Sequence, residues 1–309
     1  MEGSQAVKPT SVAGVQSRAV VLRGVLYSIR PSEWIKNILV FAAAVFSGEF
    51  FHQEALFRSV TAFAAMCLVA SATYLLNDVK DRQSDMFHPR KRLRPVASGM
   101  VSPRLALSVA AVIGPAGIAL AFSINLPTGL GVLGYLVLTT VYSLYLKHAV
   151  IVDVLALSSA FVLRVIVGAE AIGVEFSTWL VLCTFLFALF LGFGKRRNEL
   201  VTLENNAQPH RPVLGDYSPH FLDMMMAVVT TATVMSYTLY TMAPETVARF
   251  HSRNLIYTTV FVLYGIFRYL YLIHQKSSGG SPVQMFYIDR PLQISVGLWI
   301  VSVFLLRYL

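Results

Sequence analysis

The sequence predicts an all-α polytopic membrane protein, a single bundle of nine transmembrane helices. Three observations carry that expectation. Of 309 residues, 56% are hydrophobic and only 13% charged, about half the charge of a soluble domain. The apolar residues gather near 34–51, 56–77, 104–123, 128–146, 150–173, 177–194, 220–243, 254–273 and 291–309, and each run is close to the roughly 20 residues that a helix needs to cross a hydrocarbon core. The basic residues between these runs fall mostly in alternate loops. An ordinary soluble enzyme, a secreted module, a coiled coil and a disordered chain are excluded by the same composition.

Residues 1–33 contain Lys8, Arg18, Arg23 and Arg30 and no long apolar run. No signal peptide is expected there, and 19–29 reads as a short interfacial helix. Residues 34–309 form the expected transmembrane catalytic domain. Lys36 joins the N-terminal cations. Lys80, Arg82, Arg90, Lys91, Arg92, Arg94 and Arg104 follow the second span, Lys147 the fourth, Lys195, Arg196, Arg197 and Arg211 the sixth, and Lys276 and Arg290 the eighth. The other set of loops holds only Arg58, Arg249 and Arg253. The positive-inside rule then puts the N-terminus in the cytoplasm, and nine spans put the C-terminus across the membrane. An even count would break that asymmetry. This placement accounts for the net charge of +9, so no nucleic-acid partner is expected. The long loops, 78–103 and 195–219, are both cytoplasmic and highly charged, so the chemistry is expected to face that side. Gly114, Pro115 and Gly117 allow a kink in the third span, 277–281 reads as a flexible connector, and Cys67 and Cys183 read as buried small hydrophobes. The seven histidines are scattered, and Arg268 has no obvious partner.

The most informative stretch is Asn77-Asp78-Val79-Lys80-Asp81-Arg82-Gln83-Ser84-Asp85, directly after an apolar run. In a continuing helix, Asn77, Asp78, Asp81 and Asp85 share one face. Carboxylates so close repel one another and persist when a cation compensates them. Hard oxygen ligands with no His or Cys among them favour Mg²⁺, which completes its shell with substrate phosphates. Lys91, Arg92 and Arg94 come just downstream and suit phosphate oxygens or lipid headgroups.

Asn-Asp-x-x-Asp-x-x-x-Asp after the second span, a basic loop ending Arg94-Pro95-x-x-x-Gly99, and Arg30-Pro31-x-x-Trp34-x-Lys36-Asn37 before the first span together resemble the UbiA superfamily of intramembrane prenyltransferases. The resemblance covers most of the chain and implies a multi-pass protein of the inner (plasma) membrane. It implies a Mg²⁺-diphosphate site on the acidic motif, Asn77, Asp78, Asp81 and Asp85, in a cavity open to cytoplasm and lipid. It is also compatible with a homo-oligomer.

Members that prenylate aromatic rings carry a second Asp-x-x-x-Asp after the sixth span. Here that place reads Gly194-Lys195-Arg196-Arg197-Asn198-Glu199, with Glu199 as its one carboxylate. Together with Leu146-Lys147-His148 and Ser158-Ser159-Ala160-Phe161-x-x-Arg164, it resembles the branch that transfers 5-phosphoribose from phosphoribosyl pyrophosphate to a polyprenyl (decaprenyl) phosphate. The branch implies that Lys36, Asn37, Lys91, Arg92, Arg94, Lys147, Lys195 and Arg196 hold phosphates, with Asp78, Asp81, Asp85 and Glu199 serving the reaction.

Arg164 lies mid-run in the fifth span, where a charge costs about 3 kcal/mol or more. It is expected to meet an anion or carboxylate and to serve the site, or to form a buried ion pair. Asp153, about three turns earlier, is divided between a structural role and one near metal or ribose. Tyr142 is divided between donating to phosphate and an interfacial aromatic belt. An aromatic prenyltransferase would need the missing second acidic motif. A transporter would place its acids nearer the midplane. An inactive scaffold is the remaining alternative.

Overall fold

The computed structural model describes residues 18–87, 91–175, 177–204, 212–275 and 282–308. Lys8, Arg90, Arg211, Lys276 and the 277–281 connector lie outside them.

The α-helices among the described residues are α1 (Arg18–Ser28), α2 (Ala42–Ser47), α3 (Gln53–Lys80), α4 (Arg82–Phe87), α5 (Pro103–Phe122), α6 (Leu126–Leu144), α7 (Val152–Ile172), α8 (Thr178–Glu204), α9 (Pro219–Met242), α10 (Pro244–Phe250), α11 (Thr259–His274), α12 (Pro282–Ile288) and α13 (Arg290–Tyr308). Eight helical segments are long and apolar enough to cross a membrane: Gln53–Lys80, Pro103–Ile124, Leu126–Leu144, Val152–Ile172, Thr178–Val201, Pro219–Met242, Asn254–His274 and Arg290–Tyr308. Three of them begin alike. Ser102 Oγ, Asn125 Oδ1 and Ser218 Oγ accept the Leu105, Thr128 and Phe221 amides, with Pro103, Pro127 and Pro219 in the first turn. Such caps satisfy amides that have no carbonyl of their own helix, at positions where proline costs nothing.

The first expected span, 34–51, is not a continuous α-helix. Pro31–Phe41 is a 3-10 helix, and only Ala42–Ser47 is α-helical. The cause is tertiary. A period of three puts Trp34, Asn37 and Val40 in one row. Trp34 Nε1 donates to Ser71 Oγ at 3.1 Å and Asn37 Nδ2 to Cys67 Sγ at 3.2 Å. Ser71 and Cys67 are one turn apart on α3. On the other side Gly168 of α7 backs onto Val40, where a Cβ would lie 1.9 Å from the Val40 carbonyl oxygen. At about 2.0 Å rise per 3-10 residue and about 1.5 Å per α residue, this segment still reaches about 30 Å, a hydrocarbon thickness.

α3 and α7 are the most buried of the long helices; the others are mostly uncovered by protein. One core joins Val40 to α3, α6 and α7 through Met66, Val69, Val132 and Val167. A second joins α7, α8, α9 and α11 through Phe190, Phe193, Leu222 and Ile266. α13 closes the bundle against α2: Arg307 donates to the Ser47 carbonyl at 2.8 Å and Tyr308 to that of Val45 at 3.3 Å. α5 runs unbroken past Pro115. Its Gly117 lets α5 approach α3, since a Cβ there would lie 2.9 Å from the Ala65 carbonyl oxygen. Arg268 is partnered after all, by both carboxylate oxygens of Asp289.

Candidate functional site

Long-range ion pairs bring one end of the bundle together. The end of α3, the connection from α6 to α7, the last turns of α8 and the start of α9 meet there. Nearly all the polar residues singled out by the sequence lie at that end.

The acidic stretch does not form one continuous face. α3 ends at Lys80, Asp81 is a turn residue, and α4 resumes at Arg82. The ladder persists across the break, with the Asp81 amide on the Asn77 carbonyl at 2.8 Å and that of Asp85 on Asp81 at 2.9 Å. The side chains divide into two pairs. Asp78 and Asp85, both buried, are bridged by Arg94, at 3.2 and 2.6 Å. Arg30 also donates to Asp78. Asp81 remains about a third exposed and faces Lys147 at 3.3 Å. Asn77 Oδ1 accepts from Ser143, whose carbonyl takes the Lys80 ammonium at 2.9 Å. Lys91 and Arg92 form a 3-10 turn beside Arg94, and Arg92 is exposed.

A second cluster centres on Arg196, almost completely buried. Its Nε donates to Asp153 at 2.6 Å, one terminal nitrogen to Glu199 at 2.8 Å and the other to Tyr142 at 3.2 Å. Lys195 lies 3.8 Å from Glu199. Tyr217 donates to the other Asp153 oxygen at 2.9 Å and accepts the Ile151 amide at 2.6 Å. Burial, with the carboxylate as acceptor, pushes the Tyr217 phenol up to about 12, so it remains a donor at neutral pH. Lys36 pairs with Glu33, and Glu33 in turn feels Lys195 and Arg30. Beyond Arg196, Arg197 donates to Asp223 at 2.6 Å, and His274 shares that carboxylate at 3.2 Å.

Arg164 and Asn37 are placed differently from expectation. Arg164 donates to Asn37 Oδ1 at 2.8 Å, the Ala160 carbonyl at 2.6 Å and the Tyr135 hydroxyl at 3.0 Å. The Tyr135 and Phe161 rings cover its guanidinium at 4.8 and 5.0 Å. Neutral groups replace the expected carboxylate, because Asp153 is committed to Arg196. Asn37 is buried and bonds to Arg164 and Cys67.

The donor chemistry of the acidic stretch fits Mg²⁺. Every candidate ligand is an oxygen. Asp78 Oδ2 is buried with no hydrogen-bond partner among the described residues, an atom that a cation would satisfy. No three His, Cys, Asp or Glu side chains converge on a metal position among those residues. The fit is therefore to an ion held by one or two carboxylates and completed by water and substrate phosphate, the usual mode for Mg²⁺.

Sequence reasoning missed Arg30, Ser143 and Tyr217. Arg30 stands in the opening motif, where spacing does not distinguish it from Lys36. Ser143 and Tyr217 carry no local signal: a serine in an apolar helix and a tyrosine at a helix start are ordinary at a membrane edge.

Comparisons with known proteins agree with this architecture. The UbiA prenyltransferase family model matches residues 38–289. The chain is 30% identical over 296 residues to a decaprenyl-phosphate phosphoribosyltransferase of Corynebacterium glutamicum, covering 93% of this chain and 87% of that one. It is 33% identical over 293 residues to the protein of the same name from Mycobacterium tuberculosis, covering 93% and 95%. A solved UbiA homolog from Archaeoglobus fulgidus, bound to GPP and Mg²⁺, is similar with a TM-score of 0.69 at 19% identity, covering 93% of this chain and 100% of that one. That last likeness shows the fold.

Proposed function

The chain belongs to the UbiA prenyltransferase family, and from that premise we propose that it is an integral-membrane transferase that moves 5-phosphoribose from phosphoribosyl pyrophosphate to a polyprenyl phosphate. The observation that carries this reading is the cluster around Arg196. Where aromatic prenyltransferases are expected to carry two acids, this chain carries Lys195 and Glu199 one turn apart, with Arg196 locked between Asp153 and Glu199. A site that exchanges carboxylate for cation suits a substrate with an additional phosphate. The names of the relatives at 30 and 33% identity support the same donor and acceptor.

In the proposed reaction the bond from C1 of ribose to the diphosphate oxygen breaks, and the electron pair leaves with the diphosphate. A bond from C1 to an oxygen of the lipid phosphate forms on the opposite face, with inversion. That phosphate is ionised near neutral pH, so no strong base is required. Asp78, through its unpartnered oxygen, and Asp81 are the carboxylates that would hold Mg²⁺, which when bound would offset charge on the leaving diphosphate, with Asn77 and Asp85 supporting them. Lys147, beside Asp81, is assigned to a diphosphate oxygen. Arg94 neutralises Asp78 and Asp85 and keeps the loop against α3. Lys195 is assigned to the 5-phosphate, beside Arg196, which Asp153 and Glu199 hold in place. Arg164 and Asn37 support this site from below by holding the 3-10 segment against α3, α6 and α7. The charge asymmetry of the loops supports a cytoplasmic N-terminus and active site.

The test is purified protein in nanodiscs with labelled phosphoribosyl pyrophosphate, decaprenyl phosphate and Mg²⁺. The expected result is a labelled lipid that needs Mg²⁺. Asp81→Ala should lower its rate at least about 100-fold, equivalent to about 3 kcal/mol of transition-state stabilisation. Absence of product from folded protein, with turnover of a prenyl diphosphate and an aromatic acceptor instead, would overturn the reading.

A further inference from the structure

Tyr217 joins connections far apart in sequence. It precedes α9, yet its hydroxyl accepts the Ile151 amide and donates to Asp153, both at the start of α7. The ring is buried and stacks on Phe221 with centroids 6.1 Å apart. Ile151 has φ 68° and ψ −47°, and the Val152 amide bonds to the Val150 carbonyl at 2.7 Å. That is the strained form of the γ-turn, in a region that β-branched residues avoid. Such a conformation survives only where its surroundings over-determine it, and the group that takes the Ile151 amide is the Tyr217 hydroxyl.

The turn has charged residues on both sides. Lys147, four residues before it, reaches Asp81; Asp153, two residues after it, reaches Arg196. Its geometry therefore sets the distance between the two charge clusters. A phenylalanine would fill the same space but leave the Ile151 amide and one Asp153 oxygen without their partner.

We propose that Tyr217 is a positioning residue of the phosphate site: its hydroxyl pins the 150–152 turn and aims Asp153, which holds Arg196. This rests on the phosphoribosyl reading and adds a residue to it. The full-length protein in nanodiscs is titrated calorimetrically with phosphoribosyl pyrophosphate in Mg²⁺, and its unfolding temperature is measured in parallel. Tyr217→Phe and Asp153→Asn are each expected to weaken binding at least tenfold. The double variant should be no weaker than Asp153→Asn alone, because Tyr217 acts through Asp153. Ile151→Gly, combined with Tyr217→Phe, should recover part of the lost unfolding temperature, since glycine adopts the turn freely, but should leave binding weak because Asp153 still lacks the hydroxyl.

Binding by Tyr217→Phe within twofold of the parent overturns the proposal. So do losses that multiply in the double variant, or affinity that returns together with the unfolding temperature, because either makes Tyr217 structural only. A parent protein that binds no phosphoribosyl pyrophosphate removes the phosphoribosyl reading and this inference together. A parent that binds, with Tyr217→Phe unchanged, removes the inference alone.

Discussion

Arg164 carries its charge into the interior of the bundle on neutral partners alone among the described residues. Its guanidinium spans Asn37, Tyr135 and a backbone carbonyl, so one side chain ties the 3-10 segment to α6 and α7. A fork of fixed donors can make these bonds together; a point charge on a flexible stem cannot. Arg164→Lys is therefore expected to lower stability by about 1–3 kcal/mol, read from thermal unfolding in detergent. Affinity for phosphoribosyl pyrophosphate should change less than threefold in the folded fraction. A large loss of affinity without loss of stability would instead return Arg164 to the substrate. Arg196 is the contrasting residue. It is equally buried but gripped by two carboxylates.

The element that departs furthest from a simple helix is Pro31–Phe41. Its geometry depends on the close contact between Gly168 and the Val40 carbonyl. Gly168→Ala forces that contact apart and is expected to cost about 1–3 kcal/mol, as overpacking does. Gly134→Ala is the control. A Cβ there meets nothing within 4 Å, so the change should only add alanine's helix preference, about 0.5–1 kcal/mol of stability. Equal unfolding temperatures for the two variants would mean that the segment does not depend on this approach. The break at Asp81 has a related consequence. By turning the chain between α3 and α4, it leaves Asp81 partly exposed and paired with Lys147, while Asp78 and Asp85 stay buried with Arg94.

Across the whole molecule, the proposed orientation rests on loop charge and is open to direct test. Ser84, exposed beside the acidic stretch, and His52, exposed at the opposite end of α3, are suited to cysteine substitution. In intact cells a membrane-impermeant maleimide should label His52→Cys and spare Ser84→Cys; the reverse pattern would overturn the orientation. Ligand binding should also stabilise the bundle by mass action. Phosphoribosyl pyrophosphate with Mg²⁺ at 100 times its Kd is expected to add about 2.7 kcal/mol to the unfolding free energy. A chelator should abolish that gain, and a gain that survives chelation would argue against a metal-bridged substrate.

Composition, apolar run length and loop charge by themselves determined the all-helical membrane class and eight of the spans, and the short motifs carried the resemblance to the family. Those properties are local: a run of apolar residues has few other stable states in lipid, and the acidic motif lies within nine consecutive positions. The end of the bundle where the charged residues gather was legible for the same reason. Partner choice was not. That Asp153 belongs to Arg196 and not Arg164, that Arg94 bridges Asp78 and Asp85, and that Tyr217 reaches Ile151 were decided by tertiary structure. Each pairing depends on which helix ends the packed core brings within about 3 Å, the reach of a hydrogen bond. The 3-10 form of Pro31–Phe41 was decided in the same way. Its row of Trp34, Asn37 and Val40 acquires a reason for a period of three only when α3 and α7 stand on either side.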